Sequence, residues 1–257
     1  TTTFADLLRR IHNEVPGIQR LRFVTPYPRD FGDDVLEAIR DSPRICRYLH
    51  IPAQSGSDTV LNRMNRGYTV GEYLEFIDRA RAFLDQPEIG RPLMLAGDII
   101  AGFCGETEDD HNATRTLLER AQYKNCFIFK YSPRAGTPAA EMRDDVAPAE
   151  KLRRNRVLLE DQERRGFELN RRLLGQTVEV LVEGESLRNR DRWSGRTRTN
   201  KIVIFEPAPG LRAGSLVKVR IGRARAQTLY GEIEEAAAPG PSGDGGAASG
   251  IERSVEA

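Results

Sequence analysis

The 257-residue chain is short of the features that mark secreted and membrane proteins. Its three cysteines, Cys46, Cys104 and Cys126, are odd in number and far apart. That argues against a disulfide framework and for a reducing cytoplasm. None of them stands at a metal-ligand spacing, so they read as small buried or half-buried residues, with Cys104 set apart by its place in a glycine turn. No apolar run approaches the roughly 20 residues that cross a bilayer, and no signal-peptide pattern is present. An initiator Met is lacking, which leads to the expectation that the chain is a fragment of a longer protein. No internal repeat is evident. Histidine is scarce: His12 falls on a helix and His50 within a strand, and neither is assigned a role.

Net charge is also nearly absent, at +1, yet this conceals an asymmetry. Residues 173–230 carry eleven Lys/Arg against five Asp/Glu, a surplus of +6, which leaves −5 for the remainder. A basic end points to a polyanion partner there. With 39% hydrophobic and 30% charged residues, the chain has enough apolar content for a core and enough charge to be soluble.

What is present falls into two regimes of periodicity. Phe4, Leu7, Leu8 and Ile11 predict a helix over 3–15, closed by Pro16-Gly17. A strand is expected at 21–25, a loop at Pro26 and Pro28, and a helix at 33–40. Further strands are expected at 48–52, 93–100 and 126–131, with helices at 58–64, 70–84 and 108–121 between them. Thr107 is the expected N-cap of the last helix, and Asp109 and Asp110 suit its positive end. Four strands separated by helices predict a parallel sheet or part of a barrel, with ligand loops at the carboxyl ends of the strands.

A charged helix over 148–172 follows, anchored by Leu152, Leu158, Leu159 and Leu169. The period then changes to two, with Val178, Val180 and Val182 alternating with Glu179, Leu181 and Glu183, and strands at 202–205, 216–221 and 228–233. Short strands at this density predict a small closed barrel of the OB type. The run AAAPGPSGDGGAASG predicts a disordered tail over 236–257. The organisation expected is therefore 1–147, a bridging helix 148–172, a β-module 173–235 and the tail.

Two stretches carry ligand chemistry. Residues 93–110, LMLAGDIIAGFCGETEDD, pass from an apolar strand through Gly102 and Gly105 to a helix start. The glycines permit close approach of backbone to a ligand, and the helix offers unpaired N–H groups. Gln54-Ser55-Gly56-Ser57 sits at a strand end, where it either holds a polar ligand or caps the next helix. In the basic segment 187–201, LRNRDRWSGRTRTNK, six cations surround Trp193. It reads either as a solvated hairpin or as an RNA surface, with phosphates on Arg188, Arg190, Arg196, Arg198 and Lys201 and a base stacked on Trp193. The small-barrel context favours RNA.

Read together, YLHIPAQSGS, MNRGY, DIIAGFCGET and FKYSPRAGTPA resemble the radical-SAM methylthiotransferases, and GQTVEVLVEG and SGRTRTN resemble the TRAM domain that ends those enzymes. HIPAQSGS and the MNRGYT context look most like the tRNA branch, which acts on isopentenylated adenosine beside the anticodon. The ribosomal-protein and threonylcarbamoyladenosine branches are its relatives, and a cluster-free RNA-binding module is the rival from another class.

The resemblance implies an α/β fold, with the later strands of a radical-SAM (βα) barrel followed by an OB-like TRAM barrel. It also implies S-adenosylmethionine and two 4Fe-4S clusters, and replacement of C2–H by C2–SCH₃. Gln54, Ser55, Ser57, Gly97, Ile99, Gly102 and Glu106 match cofactor-contacting positions. Arg66 suits the methionine carboxylate or is simply a surface helix-end cation. Arg134 and Thr137 are placed toward the substrate nucleotide. Implied partners are the tRNA anticodon stem-loop, a further N-terminal part of the same protein, a sulfur donor and an electron donor such as flavodoxin or ferredoxin. The family commonly has Pro where this chain has Cys104, and the Cys-x₃-Cys-x₂-Cys loop is absent from this sequence. The expectation is that this chain alone binds no cluster and is inactive.

Overall fold

Thr3 caps the first helix, α1 (Phe4–Glu14), by accepting from the Asp6 N–H, and the Asp6 carboxylate accepts in return from the Thr3 N–H. The same reciprocal box starts α4 (Val70–Leu84) at Thr69/Glu72 and α5 (Glu108–Ala121) at Thr107/Asp110, as the sequence pattern at Thr107 indicated. The computed structural model describes residues 2–24 and 31–236. The expected loop at Pro26 and Pro28 and all of the expected tail after Ala236 lie outside the described residues.

Helices α2 (Asp33–Asp41) and α3 (Asp58–Arg63) alternate with β1 (Tyr48–His50), β2 (Met94–Ala101) and β3 (Asn125–Lys130). These strands form one parallel sheet in the order β1-β2-β3, with Asp98 level with Phe127 and His50 level with Ala96. The expected fourth strand at 21–25 does not form among the described residues. Leu21 makes one parallel bridge to Ile45, while Arg20 and Arg22 on either side reach out to the β-module. Leu21 and Phe23 still pack against the core, so the alternation was real, but a single bridge is all the backbone makes of it.

Odd positions of β2, including Leu95 and Ile99, point into the main core with Leu49, Tyr73, Phe76, Ile77, Leu118 and Tyr123. The even positions form the other face of the sheet. There Phe127 and Phe129 on β3 remain 51% and 55% exposed.

Helix α6 (Pro148–Arg171) bridges the two halves, but on a polar face. Of the four expected leucine anchors only Leu158 is buried. Leu152 and Leu159 are exposed, and the buried stripe is instead Lys151, Arg154, Leu158, Gln162, Arg165 and Asn170. Most of their polar atoms meet carbonyls and carboxylates, Arg165 Nε excepted: Gln162 donates to the Tyr123 and Lys124 carbonyls, and Asn170 to those of Arg225 and Ala226.

Beyond it, β4 (Thr177–Ser186), β5 (Asn189–Thr197), β6 (Ile202–Phe205), β7 (Leu216–Ala224) and β8 (Thr228–Ala236) close a barrel in the order β4-β5-β6-β8-β7. Val180, Val182, Val203, Phe205, Val217, Val219, Ile221 and Leu229 fill it. The basic segment is thus a β-strand of the barrel, with its core facing Gly195 and Thr197 inward. The fold is α/β: a partial (βα) barrel followed by an OB-like barrel.

The β5–β6 turn is seated at the N-terminal ends of the parallel strands. Arg20 donates to the Arg196 carbonyl (2.6 Å), Arg22 to that of Thr197 (2.6 Å) and Lys124 to that of Asn200 (2.9 Å). Arg198 returns a bond to the Pro43 carbonyl.

Candidate functional site

The loops after β1 and β2 open side by side at the C-terminal edge of the sheet. Gln54, with φ +69°, donates its N–H to the Asp98 carbonyl (2.8 Å) and accepts from the Ile100 N–H (2.9 Å). The Gln54 side chain is half-exposed and makes no side-chain hydrogen bond among the described residues. Its neighbours are committed inward. Ser57 caps α3 and donates to Asp110, the Ser55 hydroxyl lies 3.4 Å from that of Thr114, and the Gly56 N–H donates to Thr114 (2.9 Å). Gly56 is required here because a Cβ would lie 2.4 Å from the Thr114 Cα. Of the two readings of this stretch, the helix cap accounts for Ser57; Gln54 is left facing outward.

Gly102, at φ +74°, donates its N–H to Glu106 (2.9 Å), and Glu106 accepts a 2.9 Å bond from Arg154. Burial pushes the Glu106 carboxyl up, although the Gly102 N–H and the Arg154 guanidinium favour its charged form. Lys151 of α6 fills the space where a Gly102 Cβ would stand. Ile99 is wholly buried, and Gly97 leaves room for the Tyr123 ring. Arg66 is half-buried just after α3, and its guanidinium makes no ion pair among the described residues. Arg134 and Thr137 are exposed in the loop after β3, where the Thr137 hydroxyl donates to the Arg134 carbonyl (2.8 Å). Gln54, Arg66 and Arg134 are thus expected residues whose side-chain polar groups make no hydrogen bond or ion pair among the described residues.

Sequence reasoning passed over the open face of the sheet. His50 Nε2 lies 3.1 Å from Asp98 Oδ1, and the His50 ring stacks on Phe127 at 6.0 Å between centroids and 18° between planes. Both strands carry these residues on the even face, so period-two alternation combined with the register was the signal that brings them together. The cysteines do not converge: Cys46 and Cys104 are buried and Cys126 is half-buried, its thiol pushed up by burial. Among the described residues no three Cys, His, Asp or Glu side chains form a metal-binding group. The described residues therefore do not fit an iron–sulfur cluster.

The expected RNA residues divide into two sets. Arg188 and Arg190 are exposed on the β4–β5 hairpin, and Trp193 is half-buried against the barrel core. Arg198 and Lys201 lie instead at the junction, which also takes the Arg196 carbonyl, while the Arg196 side chain lines a groove of the barrel. Arg196 pairs with Glu183 (2.9 Å), Arg198 holds the Pro43 carbonyl, and Lys201 is buried with its amine 2.7 Å from Asn170 Oδ1. A groove of about 1130 Å³ on the barrel contains Arg220, Arg223 and Tyr230, which the sequence had not singled out.

Comparison with known proteins bears on both units. Residues 2–118 match the radical SAM superfamily and residues 171–233 the TRAM domain. A "tRNA-2-methylthio-N(6)-dimethylallyladenosine synthase" of Acetivibrio thermocellus is 44% identical over 232 residues, covering 90% of this chain and 47% of that protein. The same-named protein of Rhodopirellula baltica is 42% identical over 243 residues, covering 91% and 49%. The chain thus spans about half the length of the curated relatives it matches. A solved structure, the radical SAM enzyme coproporphyrinogen III oxidase from Escherichia coli, aligns at 14% identity and TM-score 0.47, covering 70% of this chain and 46% of that one. The chain thus carries a radical SAM segment followed by a TRAM domain, and over about 90% of its length it is similar to proteins named tRNA-2-methylthio-N(6)-dimethylallyladenosine synthase.

Proposed function

We propose that the protein containing this chain is a tRNA methylthiotransferase that converts C2–H of N6-isopentenyladenosine beside the anticodon to C2–SCH₃. The observation that carries this reading is the single alignment at 44% identity that runs through both units and covers 90% of the chain. Residues 1–147 act as part of the catalytic barrel, 148–172 as the bridge and 173–235 as the RNA-binding module.

In this reading Gln54 and Arg66 hold the polar ends of S-adenosylmethionine, with the Arg66 guanidinium gripping its carboxylate through two parallel bonds. When bound, S-adenosylmethionine supplies a cleavable sulfonium and the transferred methyl group. Ser55, Ser57, Gly97, Ile99, Gly102 and Glu106 fix the backbone around that pocket. Arg134 and Thr137 face the nucleotide. The ligands of an iron–sulfur cluster come from outside the described residues, and this chain alone is inactive. A sulfur donor, a reductant such as flavodoxin or ferredoxin, and a cytoplasmic location complete the proposal.

The test is deletion of the gene in its own organism, followed by mass spectrometry of digested tRNA. Loss of the 2-methylthio nucleoside with accumulation of N6-isopentenyladenosine is the expected result. An unchanged level of the methylthiolated nucleoside overturns the reading.

A further inference from the structure

We infer that the barrel grips unpaired RNA through the groove across β5, β6, β8 and β7, centred on an Arg223–Tyr230 stack, and not through the 197–201 turn. This rests on the tRNA reading above and names the surface that serves it. The first ground is subtraction. The turn that looks most like a nucleic-acid contact in sequence is occupied. The Arg196, Thr197 and Asn200 carbonyls accept from Arg20, Arg22 and Lys124, and Lys201 is 1% exposed with its amine on Asn170. A phosphate approaching there would meet the N-terminal half of the chain.

The second ground is the groove. Arg223 and Tyr230 are direct cross-strand partners, placed opposite one another where a register shift interrupts the β7–β8 ladder. The Arg223 guanidinium lies 4.1 Å from the centre of the Tyr230 ring, and the Arg223 side chain is exposed. The phenol ring thus lies against one side of the cation, and the rest of the Arg223 side chain is exposed. Unstacked RNA bases lie on guanidinium planes, and every base offers the matching π-face.

Around the stack, Arg188, Arg192, Arg196 and Arg220 line the same groove together with Glu183, Glu206, Glu232 and Ile204. Arg192 and Arg220 pair with Glu206 (3.1 Å) and Glu234 (3.3 Å) at exposed positions, where carboxylate partners contribute little and exchange readily for phosphate. Leu187, 96% exposed, marks the lip at the hairpin tip. Five arginines against three glutamates give the groove a positive excess beside Ile202, Ile204 and Ile221, which suits phosphates with unstacked bases between them, and so an unpaired loop in preference to a duplex.

The experiment uses the full 257-residue chain and a fluorescein-labelled stem-loop RNA, with a duplex of the same composition and a poly-glutamate peptide as competitors. Arg223→Ala is expected to weaken stem-loop binding about tenfold and to reduce the salt slope by about one. Arg223→Lys, which keeps the charge but not the plane, is expected to lose affinity while keeping that slope. Tyr230→Leu is expected to behave like Arg223→Lys, and Arg198→Ala to bind as wild type. Circular dichroism melts confirm that each variant is folded. Wild-type affinity in Arg223→Ala and Tyr230→Leu, or equal competition by duplex or by peptide, overturns the groove while leaving the tRNA reading standing. Failure of the wild-type chain to bind the stem-loop at all overturns the groove and counts against the tRNA reading too.

Discussion

Lys124 Nζ, at the foot of β3, lies 2.9 Å from the Asn200 carbonyl of the barrel turn, on a side chain only 1% exposed. Burial, helped by the charges of Lys201, Arg196 and Arg22, pulls this amine down to about 7, and burial pulls Lys201 to about 8. A neutral amine still donates to the carbonyl, so loss of the proton relieves the cost of a buried charge without removing the bond. In the unfolded chain the same amines hold their protons to about 10.5. Between about pH 7 and that value the unfolded state therefore binds more protons, and stability rises with pH; below about 7 both states are charged and the cost is present in full. The thermal midpoint is expected to climb from about pH 7 to about pH 9.5, and Lys124→Met is expected to flatten that climb. A wild-type slope equal to that of Lys124→Met would contradict the assignment.

The same junction makes the two halves melt together. The only tryptophan in the chain, Trp193, packs on the barrel core, so its fluorescence reports the barrel, whereas far-ultraviolet ellipticity is dominated by the helices of the other half. Arg20 and Arg22 each donate charge-assisted bonds to barrel carbonyls, contributions of about 1.5–3 kcal/mol apiece. In urea the two signals of the wild type are expected to coincide, and those of the double variant Arg20→Ala/Arg22→Ala to separate, with the barrel transition at lower denaturant. Coincident transitions in the double variant would show that α6 alone couples the halves.

At the cofactor edge, backbone proximity sets the cost of a methyl group. An alanine at Gly56 would place its Cβ 2.4 Å from Thr114 Cα and 2.5 Å from the Ala113 carbonyl, both main-chain atoms of α5. Gly56→Ala is expected to cost about 1–3 kcal/mol by overpacking and to push the Gln54 loop off α5. Gly71, in the first turn of α4, has nothing closer than 3.8 Å, so Gly71→Ala is expected to stabilise by about 0.5–1 kcal/mol. Urea midpoints of the two variants moving in the same direction would refute this account.

How far these features could be read from sequence depends on whether they are local. Caps are local: Thr107 and its acidic partners lie within one turn, and the helix starts where they place it. Strands with apolar periodicity, such as Met94–Ala101 and Thr177–Ser186, are recovered to within a few residues. The misreadings come from partners distant in the chain. Arg198 and Lys201 look like free RNA ligands because nothing near them in sequence shows that Pro43 and Asn170 will meet the same segment. The leucines of α6 look like anchors because a polar stripe gives no apolar signal, although its hydrogen bonds seat the helix as firmly. His50 and Asp98 are 48 residues apart, and only the register of β1 on β2 joins them.

That pair carries the last prediction. His50 and Asp98 sit on the open face of the sheet, and both are partly solvent-accessible, so their hydrogen bond adds little to stability. Directly beside them Phe127 stacks on the imidazole, and Phe129 continues the aromatic surface toward the C-terminal edge where Gln54 lies. A ring held by a neighbouring carboxylate on one side and an aromatic plane on another is fixed in orientation, which a surface histidine does not need to be. We expect this face to orient the substrate. Asp98→Asn, supplied on a plasmid to the deletion strain, is expected to lower the ratio of methylthiolated to unmodified isopentenyladenosine about tenfold or more. Its urea midpoint should correspond to a change below about 1 kcal/mol. Phe127→Leu should give the same separation of activity from stability. A wild-type nucleoside ratio in both variants would remove the open face from the reaction, whereas a loss of ratio matched by a loss of stability would make the dyad a structural contact and nothing more.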